Sequence, residues 1–293
     1  MLEVLDKGPG WFYYRNHRSV RLGQIKRTEV FTAVQGAVQE RPATYGYRRL
    51  HYYIRNNKSI ACNPKTVLLY MRLNHWLNTE RNKRHHRKPP HTGQVISALP
   101  NQRWSSDILE IRCWNREKGR LAMITDCGNI EVLSYAWERS LVSKVVQKMI
   151  QEALMKRFKT ERIPEGVKLQ FLTDNGSEYI DKELVAWMES VGFEVCNTPV
   201  RSPERNGVSE AVNRWIRADY INQNPSASFD DVRTKMPDWI EDYNTVCPHE
   251  RLGGVSAKEY YENWLKSAKK INWCYPFYLI KSISDFLPDF HSK

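Results

Sequence analysis

The chain has 293 residues, 41% hydrophobic and 27% charged, with 45 Lys or Arg against 33 Asp or Glu. That length suffices for a full-sized core plus a smaller second unit, while no apolar run approaches the ~20 residues of a membrane span and Met1 to Tyr14 lacks the basic-then-apolar order of a secretion signal. Six cysteines without any C-x-x-C pair argue against a thiolate zinc site and fit a reducing compartment, so the expectation is a soluble cytoplasmic protein with free thiols and no membrane partner.

The charge is unevenly placed. Residues 1–103 hold 19 Lys or Arg against 5 Asp or Glu, whereas the remainder holds 26 against 28. An excess confined to the first third points to a segment that meets a polyanion. Within it the pattern predicts three short helices: Glu29 to Gln39, "YGYRRLHYYIRN" (45–56) and "NPKTVLLYMRLNHW" (63–76), the last with Asn63 as cap and Pro64 at the first helical position. Such a cluster is helix-turn-helix-like, and Arg48 and Arg49 among tyrosines suit phosphate contact and stacking. "NTERNKRHHRKPPHTG" (78–93) has no apolar residue and reads as a basic linker laid along nucleic acid.

From Gln102 the period changes. Three strand-like segments (104–114, 119–127, 130–138) separated by turn residues form a meander. A helix (Leu141 to Phe158), a strand (Val167 to Thr173), a helix (Asp181 to Val191), a strand (Phe193 to Asn197) and a helix (Gly207 to Gln223) follow, with more helix over 229–265. Three antiparallel strands extended by two crossover strands predict an α/β fold: a ribonuclease-H-like mixed sheet with flanking helices, preceded by the small helical module. The domain boundaries read as 1–77 (DNA-binding module), 78–101 (basic linker), 102–225 (catalytic core) and 226–293 (C-terminal helical extension and tail).

Chemistry concentrates in three acids. Asp107 interrupts the first strand, and Asp174 ends the fourth, before an Asn-Gly turn whose Asn175 is a candidate DNA contact. Glu210 lies in the helix after the fifth. In that helix Val208, Val212, Trp215 and Ile216 share one face, and Glu210, Arg214 and Arg217 fall within about 60° of one another on the other. Because the first and fourth strands are expected neighbours, the three carboxylates can converge at one sheet edge. Unpaired, they would raise one another's pKa, so the cluster asks for a cation, and an all-oxygen donor set favours Mg²⁺ or Mn²⁺. Two such ions can drive an in-line phosphoryl displacement. Asp126, before a Cys-Gly-Asn turn, reads as a turn-stabilising residue. Pro203, Asn206 and Gly207 form the approach to the glutamate helix, and Asn206 is a further candidate DNA contact.

The 35 residues between Asp174 and Glu210, with "NQRWSSD", "LTDNGSEY" and "NTPVRSPERNGVSEAVNRWIRADY", resemble the D,D(35)E transposases of bacterial insertion sequences, the retroviral-integrase-like proteins encoded by a second reading frame. "YGYRR" and "DYNTVCPHERLGG" extend the likeness over about residues 27–265. The resemblance implies Asp107, Asp174 and Glu210 as catalytic metal ligands for Mg²⁺, with Mn²⁺ able to substitute, and Arg217 in contact with terminal DNA. It also implies element terminal repeats and target DNA as partners, a homo-oligomer on DNA, a nucleoid-associated location, and a natural context as the second half of a longer fusion protein. Departures are Ser209, where an alanine usually precedes the glutamate, and "LGGVSAKEYY" in place of L-G-Y-x-S-P-x-E-Y. Two other readings stay open from residues alone: a decayed transposase that only binds DNA, and a nuclease of this fold without strand transfer.

Overall fold

The computed structural model describes residues 17–77, 99–173, 176, 179, 181–197 and 207–270. Its described residues form two compact units. One takes those within Met1–Pro89, Trp215–Pro225 and Glu241–Ala257; the other takes those within Pro90–Arg214, Ser226–Ile240 and Lys258–Lys293.

The second unit is built on a five-stranded sheet. Strands β1 (Arg103–Arg112), β2 (Lys118–Asp126), β3 (Val132–Glu138), β4 (Leu169–Thr173) and β5 (Phe193–Asn197) lie in the order β3-β2-β1-β4-β5. The first three pair antiparallel, and β4 joins β1 and β5 in parallel. This is the expected mixed sheet, with the first and fourth strands adjacent. Parallel pairing of β1 with β4 runs from Arg103↔Gln170 to Ser105↔Leu172, so it stops two residues short of Asp107.

Each face of β1 has its own task because side chains alternate along a strand. Trp104 is fully buried, stacked on Phe158 with ring centroids at 5.8 Å and tilted against Phe193 at 5.7 Å. It belongs to a core shared with the helix Ser143–Phe158 and the helix Lys182–Ser190, contributed by Val146, Met149, Ile150, Leu184 and Met188. Ser106 is on that side too, hydrogen-bonded to the buried Tyr179 hydroxyl at 2.7 Å. Ser105 and Asp107 point the other way, toward the helix Gly207–Ile216.

Asp126 closes β2 as the sequence suggests. It accepts hydrogen bonds from the backbone N–H of Gly128 and of Asn101, both at 2.8 Å, and pairs with Arg157 at 3.2 Å. Burial pushes its carboxyl pKa up, against the opposing pull of Arg157.

In the other unit, helices α1 (His17–Glu40), α2 (Tyr47–Asn57) and α3 (Pro64–Leu73) form the expected three-helix cluster, although the first is longer and the third shorter than their periodicity suggests. Asn63 caps α3 by accepting from the Lys65 N–H at 2.8 Å. Later segments complete this unit. Arg41 forks onto Asp242 at 2.8 and 2.5 Å, and Tyr220 donates to the same carboxylate at 2.7 Å. Gly254 sits where an added Cβ would lie 2.1 Å from the Tyr52 ring, which explains why glycine replaces a bulkier residue in "LGG".

His249 is buried in this unit between Trp215 and Tyr243, with ring centroids at 5.3 and 5.0 Å. Burial first, and the Arg49 charge second, depress its pKa to about 3 from 6.5. Its neutral form is the folded one, so its contribution is complete above pH 6.5 and is lost as pH falls from there toward 3. At about pH 5 the loss is on the order of 2 kcal/mol. Urea melts of wild type should weaken across this window, and those of His249→Gln should show a shallower slope. Equal slopes would mean that the imidazole does not titrate on unfolding.

Candidate active site

Two core helices, α4 (Ser143–Phe158) and α5 (Lys182–Ser190), precede α6 (Gly207–Ile216), the helix that carries Glu210. The residues of α6 divide as their periodicity predicts. Val212 and Ile216 are buried, whereas Glu210 and Arg214 are exposed. Glu210 occupies the first turn, where the partial positive charge of a helix N-terminus favours a carboxylate. The helix was expected to run regularly to Gln223. Instead it gives way to a π-helical turn over Arg217–Ile221, with the Asn222 N–H bonded to the Arg217 carbonyl. The wider turn coincides with Asp219, an acid that the helix buries. Arg217 opens the turn with its side chain exposed.

Asp107 sits in mid-β1 opposite Met123, half-buried. One carboxylate oxygen accepts the Ile108 N–H at 2.8 Å, and the other accepts Asn213 Nδ2, also at 2.8 Å. Asn213 lies three residues after Glu210, so the two side chains are neighbours on the helix surface. The structure thus brings the helix of Glu210 against the strand of Asp107. Asp174, Asn175 and Asn206 lie outside the described residues, and β4 ends at Thr173, one residue before Asp174. Among the described residues no three His, Cys, Asp or Glu side chains gather into a metal-binding group. The chemistry of the donors nonetheless fits a hard divalent cation, because Asp107 and Glu210 supply oxygen alone.

The two arginines of "YGYRR" part ways. Arg48 is exposed, with a long 3.4 Å pairing to Glu250. Arg49, expected to contact DNA, is turned inward: it pairs with Asp219 at 2.7 Å, approaches Cys247 Sγ at 2.8 Å and lies 3.8 Å over the Tyr45 ring. A buried acid in the same unit pairs with the guanidinium, which leaves the Arg49 side chain 21% exposed. Sequence reasoning missed Asn213 and Ser209, whose burial runs against their polarity. Their only signal is position, on the seam between the apolar and charged faces of α6.

Comparison with known proteins places these features. An integrase core domain family matches residues 97–203, a second integrase core domain family matches 191–256, and an HTH-like domain family matches 26–84. The transposase InsD for insertion element IS2A/D/F/H/I/K of Escherichia coli is 34% identical over 238 residues, 80% of this chain and 78% of that protein. The chain belongs to the insertion-element transposases with an integrase core. A second E. coli relative, the insertion element IS2A uncharacterized 48.2 kDa protein, is 33% identical over 252 residues, which are 84% of this transposase chain but 59% of that protein. A chain of the simian T-cell lymphotropic virus intasome in complex with PP2A regulatory subunit B56 gamma superposes with a TM-score of 0.49 at 16% identity, covering 74% of each chain. No described helix is long and apolar enough to cross a membrane.

Proposed function

We propose that this chain cuts DNA at the ends of an insertion element and joins those ends to target DNA, using divalent metal held by Asp107, Asp174 and Glu210. The observation that carries this reading is the bond from Asn213 to Asp107, which ties the helix bearing Glu210 to the strand bearing Asp107 across 106 residues of sequence. Asp174 follows directly in sequence on Thr173, the last residue of β4, and β4 pairs with β1.

Metal bound there, as one ion or two with Mg²⁺ or Mn²⁺, would supply Lewis acidity for an in-line phosphoryl displacement. The protein's own residues have the remaining tasks. Asp107 is held in one orientation by Ile108 N–H and Asn213. Glu210 is presented to solvent on the same helix as Arg214, and Arg217 opens the following turn, so both arginines are exposed cations suited to DNA phosphates. Arg48 is the corresponding cation of the HTH-like module, and Asn175 and Asn206 remain candidate contacts in the segments flanking the acids.

The test is incubation of the full chain with labelled duplexes carrying the terminal repeats of its element and an unlabelled target duplex, with and without Mg²⁺. Metal-dependent end cleavage followed by joined products is the expected outcome. Hydrolysis with no joining would instead make the protein a nuclease of this fold, and binding without either product would make it a DNA-binding protein.

A further inference from the structure

From the interface between α6 and β1, we infer that Ser209 and Asn213 are positioning residues whose polar rungs fix the offset of Glu210 from Asp107. The inference rests on the reading of those two acids as metal ligands.

Ser105 and Asp107 are two apart on β1, on one face, and therefore separated by about 6.6 Å along the strand. Ser209 and Asn213 are four apart on α6, one above the other, with a rise of about 6.0 Å. Those spacings match, and each helix residue meets its strand counterpart. Ser209 Oγ hydrogen-bonds Ser105 Oγ at 2.5 Å, and Asn213 Nδ2 donates to Asp107 Oδ2 at 2.8 Å. Ser105 Oγ also lies 3.2 Å from Cys127 Sγ, which extends the lower rung to the residue just after β2. Ser105, Ser209 and Asn213 are 0%, 2% and 7% exposed, so a lost partner leaves each of them with little access to water.

Apolar contacts alone would not set this offset. The buried Val212 gains from burial at many neighbouring positions, because the hydrophobic effect has no direction. A slide or roll of α6 would strand buried hydroxyl and amide groups, so the two rungs select a single axial and rotational position. Glu210 lies between the rungs along the helix, on the flank adjacent to Asn213. Its distance from Asp107 is then set by Ser209 below and Asn213 above. The serine that departs from the usual alanine has a defined partner in Ser105, which makes the two serines a matched pair.

Metal binding to the full chain can be followed without DNA or turnover by titrating Mn²⁺ and reading the free-ion electron paramagnetic resonance signal, alongside thermal melting. Ser209→Ala and Asn213→Ala should each weaken Mn²⁺ binding about tenfold. In Ser105→Ala/Ser209→Ala neither hydroxyl remains to be satisfied, so melting should return toward wild type while Mn²⁺ binding stays weak. Recovery of both properties in that double variant, or wild-type Mn²⁺ binding in Ser209→Ala and Asn213→Ala, would overturn the positioning role and leave the rungs as satisfied core polars. Asp107→Asn separates the two levels. If it binds Mn²⁺ like wild type, the metal-centre reading itself fails; if it loses Mn²⁺ while the serine and asparagine variants keep it, only the positioning inference fails.

Discussion

Asp107→Asn and Glu210→Gln should each lower end cleavage by ~10²–10³-fold or more, the lower range being the scale on which removal of one preorganised transition-state-stabilising group acts, while leaving duplex binding within a few-fold of wild type. Each substitution keeps the side-chain shape and removes a ligand charge. The fold should tolerate both. An amide in place of the Asp107 carboxylate would still offer a carbonyl oxygen to Asn213 Nδ2 or to the Ile108 N–H, and Glu210 is exposed. Asp174→Asn is expected to behave alike on the reading proposed above. Asp126 supplies the contrast: it is fully buried in an ion pair with Arg157, so Asp126→Asn should act on stability. Single-turnover cleavage and gel-shift titration on the same end duplex measure both quantities. Substantial cleavage by either of the first two variants would remove the acid concerned from the catalytic set.

How much of this was legible beforehand follows from the range of each signal. The strand Phe193–Asn197 coincides with its expected bounds, because alternation inside it and Gly192 before it are both local. The adjacency of β1 and β4 followed from strand order and the handedness of crossovers, which constrain topology without any side-chain detail. Polarity, however, sorts helix residues into inside and outside only when the inside is apolar. Ser209 and Asn213 are polar and buried because β1 offers them Ser105 and Asp107, and no period within α6 encodes those partners. The pairing of Arg49 with Asp219 was illegible for the same reason at longer range. Its acid partner is 170 residues away, and Arg41 finds Asp242 at a separation of 201. Two of the basic residues counted toward a DNA-facing surface are thus neutralised inside the unit that contains them.

That internal neutralisation sets the other large expected effect. Asp219 is 1% exposed, accepts from the Thr44 hydroxyl and pairs with Arg49. Asp219→Ala leaves a half-buried guanidinium without its counter-charge, and breaking one side of a fully buried pair costs ~3–5 kcal/mol, so the expected loss is up to about that size. Replacing both partners with apolar residues, as in Arg49→Met/Asp219→Leu, removes the stranded charge and should recover most of that loss. Urea unfolding of the three proteins decides the matter: a cost below ~1 kcal/mol for Asp219→Ala would show that Arg49 finds solvent or another partner, and the pair would then be no more than a surface contact. The same physics bears on how the DNA-binding module can be studied. Its helices draw Asp219 and Asp242 from segments 170 and 201 residues later, so a fragment ending at residue 103 would expose Arg41 and Arg49 with neither acid present. The three helices are therefore expected to need those later segments in order to fold, and DNA affinity assigned to them is best read from substitutions such as Arg48→Ala in the full chain. A well-folded 1–103 fragment, with a cooperative melt matching that of the intact protein, would contradict this dependence and return Arg49 to the surface.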